Sequence, residues 1–550
     1  MAFSSAKNVT GNRIRQITDN RYFLIILLWL GLTAININKA FHIDDTFHIE
    51  AAEWIRSHPA TPMSGYINWK NVPTPIYSHN QPPLFFFLIA LFAGIFGVSE
   101  IPLHLLLSIF TFLSLYGFFK LTEILSIMPR KTLLLLFALS PALIVNQNLM
   151  TDVPLLAIVL FSAYFLLKAG QNEKLRNYCL AALLLGMGLM IKYSVLPLLV
   201  VLSLVIIFRR DYRHLPVLLI PIAILALWSW WNYREYGSIH FLDRPKGEFH
   251  INRFWAFVAC TGSMSVFSVS LIYSIFRSNH AKTIFILFLS GFSVLAILYL
   301  NDQIPDQLNS IVLNIFFILN GFIVFYAMAG LLIKHIKAEG LRKYVSDASF
   351  VVFLYMASIS AFMILFAPFI ATRHILLILP FILLFGQSCF DSIKAGINRI
   401  SIVLTLLLGL LLGISDYYYA GYYRTMAADI KHPKGRTVWT AGHWGWQWYS
   451  RKNGMLQYAT HQSPVKSGDY FVYPGNISKQ ETGTNLKLSL VEKKWKEASL
   501  LTFFSGNNMA SMYSNSVRIA PWTFSRSPVD TIFIFRVDEV MSIPEAENSK

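Results

Sequence analysis

Long apolar runs separated by short polar segments dominate the first 420 residues of the chain. A helix that crosses the hydrocarbon core of a bilayer needs about 20 largely apolar residues. By this measure the sequence predicts a mainly α, polytopic membrane protein of about thirteen spans, several of them short. The predicted spans cover roughly residues 22–38, 101–120, 132–149, 153–168, 178–191, 193–208, 215–231, 254–276, 283–300, 311–333, 348–367, 374–390 and 400–418.

The aromatic run PPLFFFLIALFAGIFG (82–97) could be a fourteenth span or a segment lying along the membrane surface. With this run at the surface and residues 1–21 inside, the cytoplasmic segments hold 21 Lys and Arg, and the outer segments before the tail hold nine. Cytoplasmic loops are enriched in basic residues. We therefore expect an odd number of spans, a cytoplasmic N-terminus (1–21) and an outer C-terminal tail.

The pattern changes after residue 418. The aromatic stretch DYYYAGYYRTM (416–426) is typical of a membrane interface. Beyond it, runs such as GDYFVYP and DTIFIFRV are rich in β-branched and aromatic residues, which favour strands. The sequence thus predicts a membrane domain over 22–418, with a first outer loop at 39–100, and a small α/β extracytoplasmic domain over 419–550.

Composition supports this picture. Of 550 residues, 55% are apolar and only 14% are charged, with a mean hydropathy of +0.51, whereas soluble domains carry about 25% charged residues. The net charge of +17 comes from clusters between apolar runs, so it indicates topology and not nucleic-acid binding. Cys179, Cys260 and Cys389 lie inside apolar runs and imply no disulfide framework.

Two adjacent carboxylates, Asp44 and Asp45, follow the first span in HIDDTFHIEAAEWI (42–55). Such a pair can simply begin a helix, where acidic residues are favourable. In a functional interpretation, one carboxylate is a general base that accepts a proton from a hydroxyl, and His48 lies beside it. The predicted topology places both carboxylates on the outer face, together with most other polar features of the membrane domain.

Three further stretches are candidates on that face. The stretch YSHNQPPLFFF has two interpretations. It is either a loop that ends at Pro-Pro, or a segment whose His79, Asn80 and Gln81 face the same cleft as the acidic pair. In LMTDVPLL, Asp152 either caps the next span or binds a metal or a cation. In ATRH, Arg373 and His374 either contact lipid headgroups or bind a phosphate, for which Arg is well suited.

Several nucleotide and metal motifs are absent from the sequence, including GxxxxGK[ST], GxGxxG opening a helix, HExxH and CxxC. The chain therefore has no visible means of binding a nucleotide. If it transfers a group, we expect the donor to be lipid-linked.

These motifs together resemble the GT-C superfamily of integral-membrane glycosyltransferases, particularly the family-39-type enzymes related to protein O-mannosyltransferases and lipid A aminoarabinose transferases. The resemblance rests on the acidic pair followed by Ala52, on HNQPPLFFFLIALFAGIFGVSE, on MTDVPLL and on TRHILLILP. The chain differs from the aminoarabinose transferases at Phe47 and at Asn80-Gln81. We therefore expect Phe47 and His48 to bear on substrate choice.

The resemblance implies a GT-C fold and an inverting sugar transfer from a polyprenyl-phosphate donor at a bacterial inner membrane. The acceptor would be a lipid, a glycan or a protein. By this resemblance Asp44 is the base and Asp45 supports it. Asp152 and His79 would organise the cleft, with a divalent cation as an option. The predicted substrate-binding residues are His48, His79, Gln81, Lys192, Arg234, Arg373 and His374.

Two other functions stay open at the level of sequence. One is a transporter or flippase of lipid-linked glycans, which should carry charge at the middle of the bilayer and breaks in matched halves. The other is a binding subunit that kept the fold without the activity. The concentration of charge at one face favours the enzyme.

Overall fold

The computed structural model describes residues 21–79, 81–276, 278–477, 480–497 and 512–541. Of the features predicted above, residues 1–20, Asn80 and the end of the tail lie outside these ranges. The described chain is mainly helical, as predicted. Its helices are α1 (Arg21–Asn36), α2 (Asp45–Ser57), α3 (Leu84–Phe96), α4 (Glu100–Ile124), α5 (Arg130–Ala138), α6 (Pro141–Val145), α7 (Asp152–Lys168), α8 (Lys174–Leu189), α9 (Leu196–Phe208), α10 (Leu219–Tyr236), α11 (Ile251–Met264), α12 (Ser268–Ile275), α13 (Ser278–Leu300), α14 (Asp306–Glu339), α15 (Leu341–Tyr344), α16 (Ala348–Leu365), α17 (Leu379–Phe385), α18 (Gln387–Asp391), α19 (Ala395–Ala428) and α20 (Trp444–Lys452).

Six stretches of helix in the described ranges are long and apolar enough to cross a membrane. The pair α11–α12, bent by 98°, would add a seventh. Four more apolar helices are shorter, within 10–17 residues. Integral membrane character is therefore clear, while the count of thirteen stays a prediction.

Local chemistry explains why some predicted spans are broken. The predicted span 132–149 is divided into α5 and α6 because the Ser140 hydroxyl accepts a hydrogen bond from the Leu143 N–H at 3.2 Å and Pro141 begins the next helix. The stretch 374–390 likewise divides into a 3₁₀ turn (Thr372–Leu377), α17 and α18. The run 82–97 forms α3, with Phe85, Phe86 and Ile89 buried.

Small residues let two helices approach closely. Gly262 on α11 faces the Phe317 carbonyl, and Gly321 on α14 faces the Val258 carbonyl. A Cβ atom at either position would collide with the opposite backbone. This is the means by which membrane helices commonly pack.

The C-terminal domain contains a five-stranded mixed sheet in the order β4-β3-β5-β7-β6. Strand β3 pairs in parallel with β4 and β5, and β7 is antiparallel to both β5 and β6. A separate antiparallel hairpin lies in the first outer loop. The strands are β1 (Tyr66–Asn68), β2 (Pro73–Pro75), β3 (Val438–Thr440), β4 (Leu456–Gln457), β5 (Tyr470–Pro474), β6 (Leu486–Trp495) and β7 (Thr531–Val540).

Helix α20 attaches this domain to the first outer loop. Arg451 forms an ion pair with Glu50 at 2.7 Å, and the Thr46 hydroxyl donates to the Trp444 carbonyl at 2.8 Å. The Tyr449 hydroxyl donates to Glu100 at 2.7 Å. The C-terminal domain therefore packs directly on α2, the helix that follows Asp44.

Candidate active site

The two carboxylates of the acidic pair have different environments at the start of α2. Asp44 occupies the N-cap position, but its carboxylate makes no capping hydrogen bond. The Asp45 carboxylate instead accepts from the His42 N–H at 2.9 Å and is fully buried. Just before the pair, Ile43 has a φ of 49°, a costly conformation for a β-branched residue. The turn thus directs Asp44 outward and Asp45 inward.

Arg373 holds the Asp44 carboxylate. Its Nη1 donates to Asp44 Oδ2 at 2.9 Å and also contacts the Met150 sulfur at 2.8 Å. Arg373 is only 5% exposed, whereas the Asp44 side chain is 24% exposed. The carboxylate therefore has one oxygen bound to a buried cation and stays open to the space in front of it.

Asp152 extends this arrangement into a chain of alternating charges. It accepts from the Lys192 ammonium at 2.8 Å, and its second oxygen lies 3.9 Å from Arg373 Nε. Asp152 is 2% exposed. Burying charges in this way requires mutual pairing. From behind the wall, Asp152 therefore orients two cations that line the cavity.

His48 and Gln81 meet through a short contact. His48 Nδ1 lies 2.7 Å from the Leu149 carbonyl, and its Nε2 lies 2.5 Å from the Gln81 carboxamide. Because a carbonyl can only accept, Nδ1 carries the proton and Nε2 accepts from the carboxamide, whose O and N positions are interchangeable. Burial lowers the pKa of His48, which keeps the ring neutral.

His79 packs on Phe47, with ring centroids 3.9 Å apart. Burial lowers the pKa of His79 to about 3, so the ring is neutral at physiological pH. Its Nε2 is buried without a hydrogen-bond partner in the described chain. The His79 carbonyl accepts from His240 at 2.8 Å and from Arg244.

These side chains surround one cavity of about 1300 Å³. Most of the predicted site residues line it: Asp44, His48, His79, Gln81, Lys192, Arg373 and His374. Asp152 lies behind the wall through its bond to Lys192, and Asp45 faces away. Arg234 lies outside the cavity, on the exposed surface of α10 with its guanidinium over Trp230, so the structure places it apart from the others.

Other cavity residues were not among those predicted. Lys70, Arg244 and Lys246 add three cations to the wall, and none forms an ion pair with an acidic residue in the described chain. Their loops carry no motif that marks them. Tyr513 and Asn515 come from the C-terminal domain, more than 460 positions from Asp44 in the sequence.

Of the two residues predicted as metal ligands, Asp152 does not fit a divalent cation in this arrangement. The His79 Nε2 has no hydrogen-bond partner in the described chain, and its role as a ligand stays a prediction. Asp152 is already engaged by Lys192 and lies near Arg373, so a second positive charge there would be repelled. Within the described residues no group of three or more His, Cys, Asp or Glu side chains could hold a metal. The function proposed below uses no metal.

Residues 80–231 match the family model of the dolichyl-phosphate-mannose-protein mannosyltransferases. This match confirms the resemblance to the GT-C membrane glycosyltransferases over the stretch that contains Gln81, Asp152 and Lys192. It supports a glycosyltransferase at the level of the superfamily. No curated protein matches the chain in sequence.

Solved structures of two such enzymes are similar to the chain. One is ArnT from Cupriavidus metallidurans bound to undecaprenyl phosphate, with a TM-score of 0.45 and 11% identity over 82% of this chain and 91% of that chain. The same enzyme in the apo state gives a TM-score of 0.42 and 13% identity over 84% and 93%. The oligosaccharyltransferase of Archaeoglobus fulgidus, in complex with Zn and sulfate, gives 0.45 and 9% over 82% and 67%.

Proposed function

We propose that this protein transfers a sugar from a polyprenyl-phosphate donor to an acceptor hydroxyl, with inversion and with Asp44 as general base. The observation that carries the proposal is the Asp44–Arg373 pair in the wall of a cavity that is lined by further cations and by apolar side chains. We place the reaction on the outer face of a bacterial inner membrane, the orientation that the distribution of Lys and Arg predicts.

The position of Asp44 suits a base. One carboxylate oxygen is fixed by Arg373, so the group is oriented, and the side chain keeps access to the cavity. A general base must reach the proton that it removes, at hydrogen-bond distance. Asp45 has no such access because it is buried and bonded to the His42 backbone.

The cations suit a phosphate leaving group. Lys70, Arg244 and Lys246 line the cavity and form no ion pair with an acidic residue in the described chain, and Lys192 contributes from the Asp152 side. Groups that meet developing negative charge in a preorganised, partly dry site stabilise the transition state strongly. The phosphate would lie among these residues.

The apolar part of the wall suits the polyprenyl chain. It is built from α9 and from the end of α16, and includes Leu196, Val200, Phe362 and Phe366. Val200 and Phe366 are each 58% exposed on the membrane domain. A lipid with a charged head could therefore enter sideways, placing its head among the cations.

The step balances as a single displacement. The acceptor hydroxyl gives its proton to Asp44, and its oxygen bonds to the anomeric carbon. The bond from that carbon to the phosphate oxygen breaks, and its electron pair leaves with the polyprenyl phosphate. Attack from the face opposite the phosphate inverts the configuration at this carbon.

The test uses purified full-length protein with polyprenyl phosphates carrying a hexose, an N-acetylhexosamine or an aminopentose, and membrane extract as acceptor source. Release of polyprenyl phosphate is followed by mass spectrometry. We expect one donor to be consumed, and Asp44→Asn to slow its consumption by about 10²–10⁴-fold, the usual contribution of a general base.

The matched control is Asp429→Asn, an exposed aspartate at the end of α19. It removes the same charge away from the cavity, and we expect wild-type rates. The proposal fails if wild-type protein consumes no donor, or if Asp44→Asn is as active as the control.

A further inference from the structure

A segment of the C-terminal domain, residues 512–526, runs across the membrane domain beside the cavity. We call it the docking segment. It precedes β7 and begins at Met512 next to Arg373. It ends at Arg526, which pairs with the loop between α13 and α14. The segment thus reaches from the candidate active site to the loop between α13 and α14.

At its first end, the docking segment forms hydrogen bonds with the backbone of Arg373 and of the residues just before it. The Arg373 N–H donates to the Met512 carbonyl at 3.1 Å, and the Ser516 N–H donates to the Ile370 carbonyl at 2.7 Å. The Thr372 and Ser516 hydroxyls lie 3.3 Å apart. The main chain that carries Arg373 is therefore held by the C-terminal domain.

The Tyr513 side chain adds further contacts between the docking segment and the membrane domain. Its hydroxyl accepts from the Asn148 amide at 2.7 Å and faces the Asp416 carboxylate. Asn148 lies two residues before Met150, which contacts the Arg373 guanidinium. The Tyr513 ring also packs against His42, with centroids 5.4 Å apart, in the turn before Asp44. One buried side chain thus contacts both segments that position the Asp44–Arg373 pair.

The far end is equally well anchored. Trp522 packs on Phe317 with centroids 4.8 Å apart, and Asn309 donates to the Thr523 hydroxyl at 2.8 Å. The Arg526 guanidinium donates to the Tyr299 carbonyl at 2.8 Å and lies over its ring. Contacts at both ends make the docking segment part of the folded membrane domain.

We infer that the docking segment completes the active site and that Tyr513 is a positioning residue that acts through Arg373. The inference rests on the proposed function, because Arg373 matters here as the residue that orients Asp44. Tyr513 also lines the cavity, but its hydroxyl is directed to Asn148 and Asp416. Its contribution is therefore to fix the pair and not to take part in the proton transfer.

The experiment compares wild type, Tyr513→Phe, Arg373→Lys and the double variant in the full-length protein, with the donor that wild type consumes. We expect Tyr513→Phe to lower kcat by about 10- to 100-fold, the cost of a small misplacement of a reacting group. In the double variant the two losses should combine to much less than their product, because both act on one contact.

Tyr470→Phe, on strand β5, is the matched control, since it removes a tyrosine hydroxyl from the same domain away from the cavity. If Tyr513→Phe lowered kcat only by partial unfolding, its loss and the loss in Arg373→Lys would multiply in the double variant. The melting temperature would also fall. The inference is overturned if Tyr513→Phe keeps wild-type kcat, or if the two losses multiply. If wild type consumes no donor, the proposed function itself has failed.

A second measurement reports docking without activity. The Cys260 thiol lies 3.5 Å from the Thr372 hydroxyl and also contacts the Ser516 hydroxyl. With Ser516→Cys and a mild oxidant, we expect a disulfide to Cys260 that peptide mapping detects. Ser489→Cys, on strand β6, should form none. Failure of the first pair to join would contradict the docked arrangement.

Discussion

At the scale of single residues, two neighbouring carboxylates have opposite environments. Asp44 faces the cavity and Arg373, whereas Asp45 is buried and closes the turn at His42. The sequence predicts the acidic pair, and the family resemblance ranks Asp44 first. The sequence could not predict that Asp45 faces away, because that depends on the left-handed backbone of Ile43, a conformation that β-branched residues rarely adopt.

This difference gives a prediction for Asp45→Asn. An asparagine still accepts the His42 N–H, so we expect sugar transfer within a few-fold of wild type. The variant should also change the pH dependence of stability. Burial raises the pKa of Asp45 to about 8, well above its unfolded value of about 3.9. The folded state therefore binds this proton more tightly, and the group contributes stability that is lost as pH rises from about 4 to 8.

Asparagine cannot ionise, so this loss should disappear in the variant. Melting temperatures in detergent, measured at several pH values between 5 and 9, check the prediction. The wild type should lose stability more steeply than Asp45→Asn as pH rises. Equal slopes, or a loss of transfer as large as that of Asp44→Asn, would contradict the roles assigned to the pair.

At the scale of elements, the sequence predicts most helices but not where they break. Hydrophobic runs locate α4, α7 and α14 well because their burial in lipid or protein depends mainly on composition. The predicted span 215–231 continues as helix to Tyr236, and α10 ends there because Gly237 follows with a φ of 73°. The following loop is anchored by His240, which bonds to Tyr193 at 2.8 Å and to the His79 carbonyl.

That helix end explains why Arg234 and Arg244 differ. Arg234 stays on the exposed surface of α10, and Arg244 returns with the loop to line the cavity. We expect Arg244→Ala to raise the donor KM by about 10-fold, equivalent to ~1.4 kcal/mol of binding. Arg234→Ala is the matched control and should keep the wild-type KM.

Steady-state kinetics with the donor found active would measure both variants side by side. A phosphate interaction that strengthens in the transition state would also lower kcat for Arg244→Ala. If Arg234→Ala has the larger effect of the two, the donor does not bind in this cavity.

At the scale of the whole molecule, the site depends on contacts between distant parts of the chain. Asp44, Asp152 and Arg373 each appear in a recognisable sequence motif. The fold brings them together through ion pairs between residues that are far apart in the sequence. The buried pair between Lys39 and Asp416 similarly joins the segment that follows α1 to α19. The contribution of Tyr513 could not be predicted, because no local pattern indicates which part of the C-terminal domain meets the membrane domain.

The orientation of the molecule is the remaining prediction from sequence. The hairpin loop carrying Asn71 accepts a backbone hydrogen bond from Thr460 at 2.8 Å, so the first outer loop and the C-terminal domain lie on the same side. The excess of Lys and Arg in the opposite loops predicts that this side is extracytoplasmic. Ser489→Cys on β6 and Met128→Cys, in the loop between α4 and α5, would report the two sides, because both positions are exposed.

In intact cells, a membrane-impermeant thiol reagent should label Ser489→Cys and leave Met128→Cys unlabelled. After permeabilisation both should react, which confirms that each thiol is accessible, and the wild type provides the background from Cys179, Cys260 and Cys389. The opposite labelling pattern would place the cavity at the cytoplasmic face. A polyprenyl-phosphate donor would then have to present its sugar inside the cell, and the orientation that the distribution of Lys and Arg predicts would be wrong.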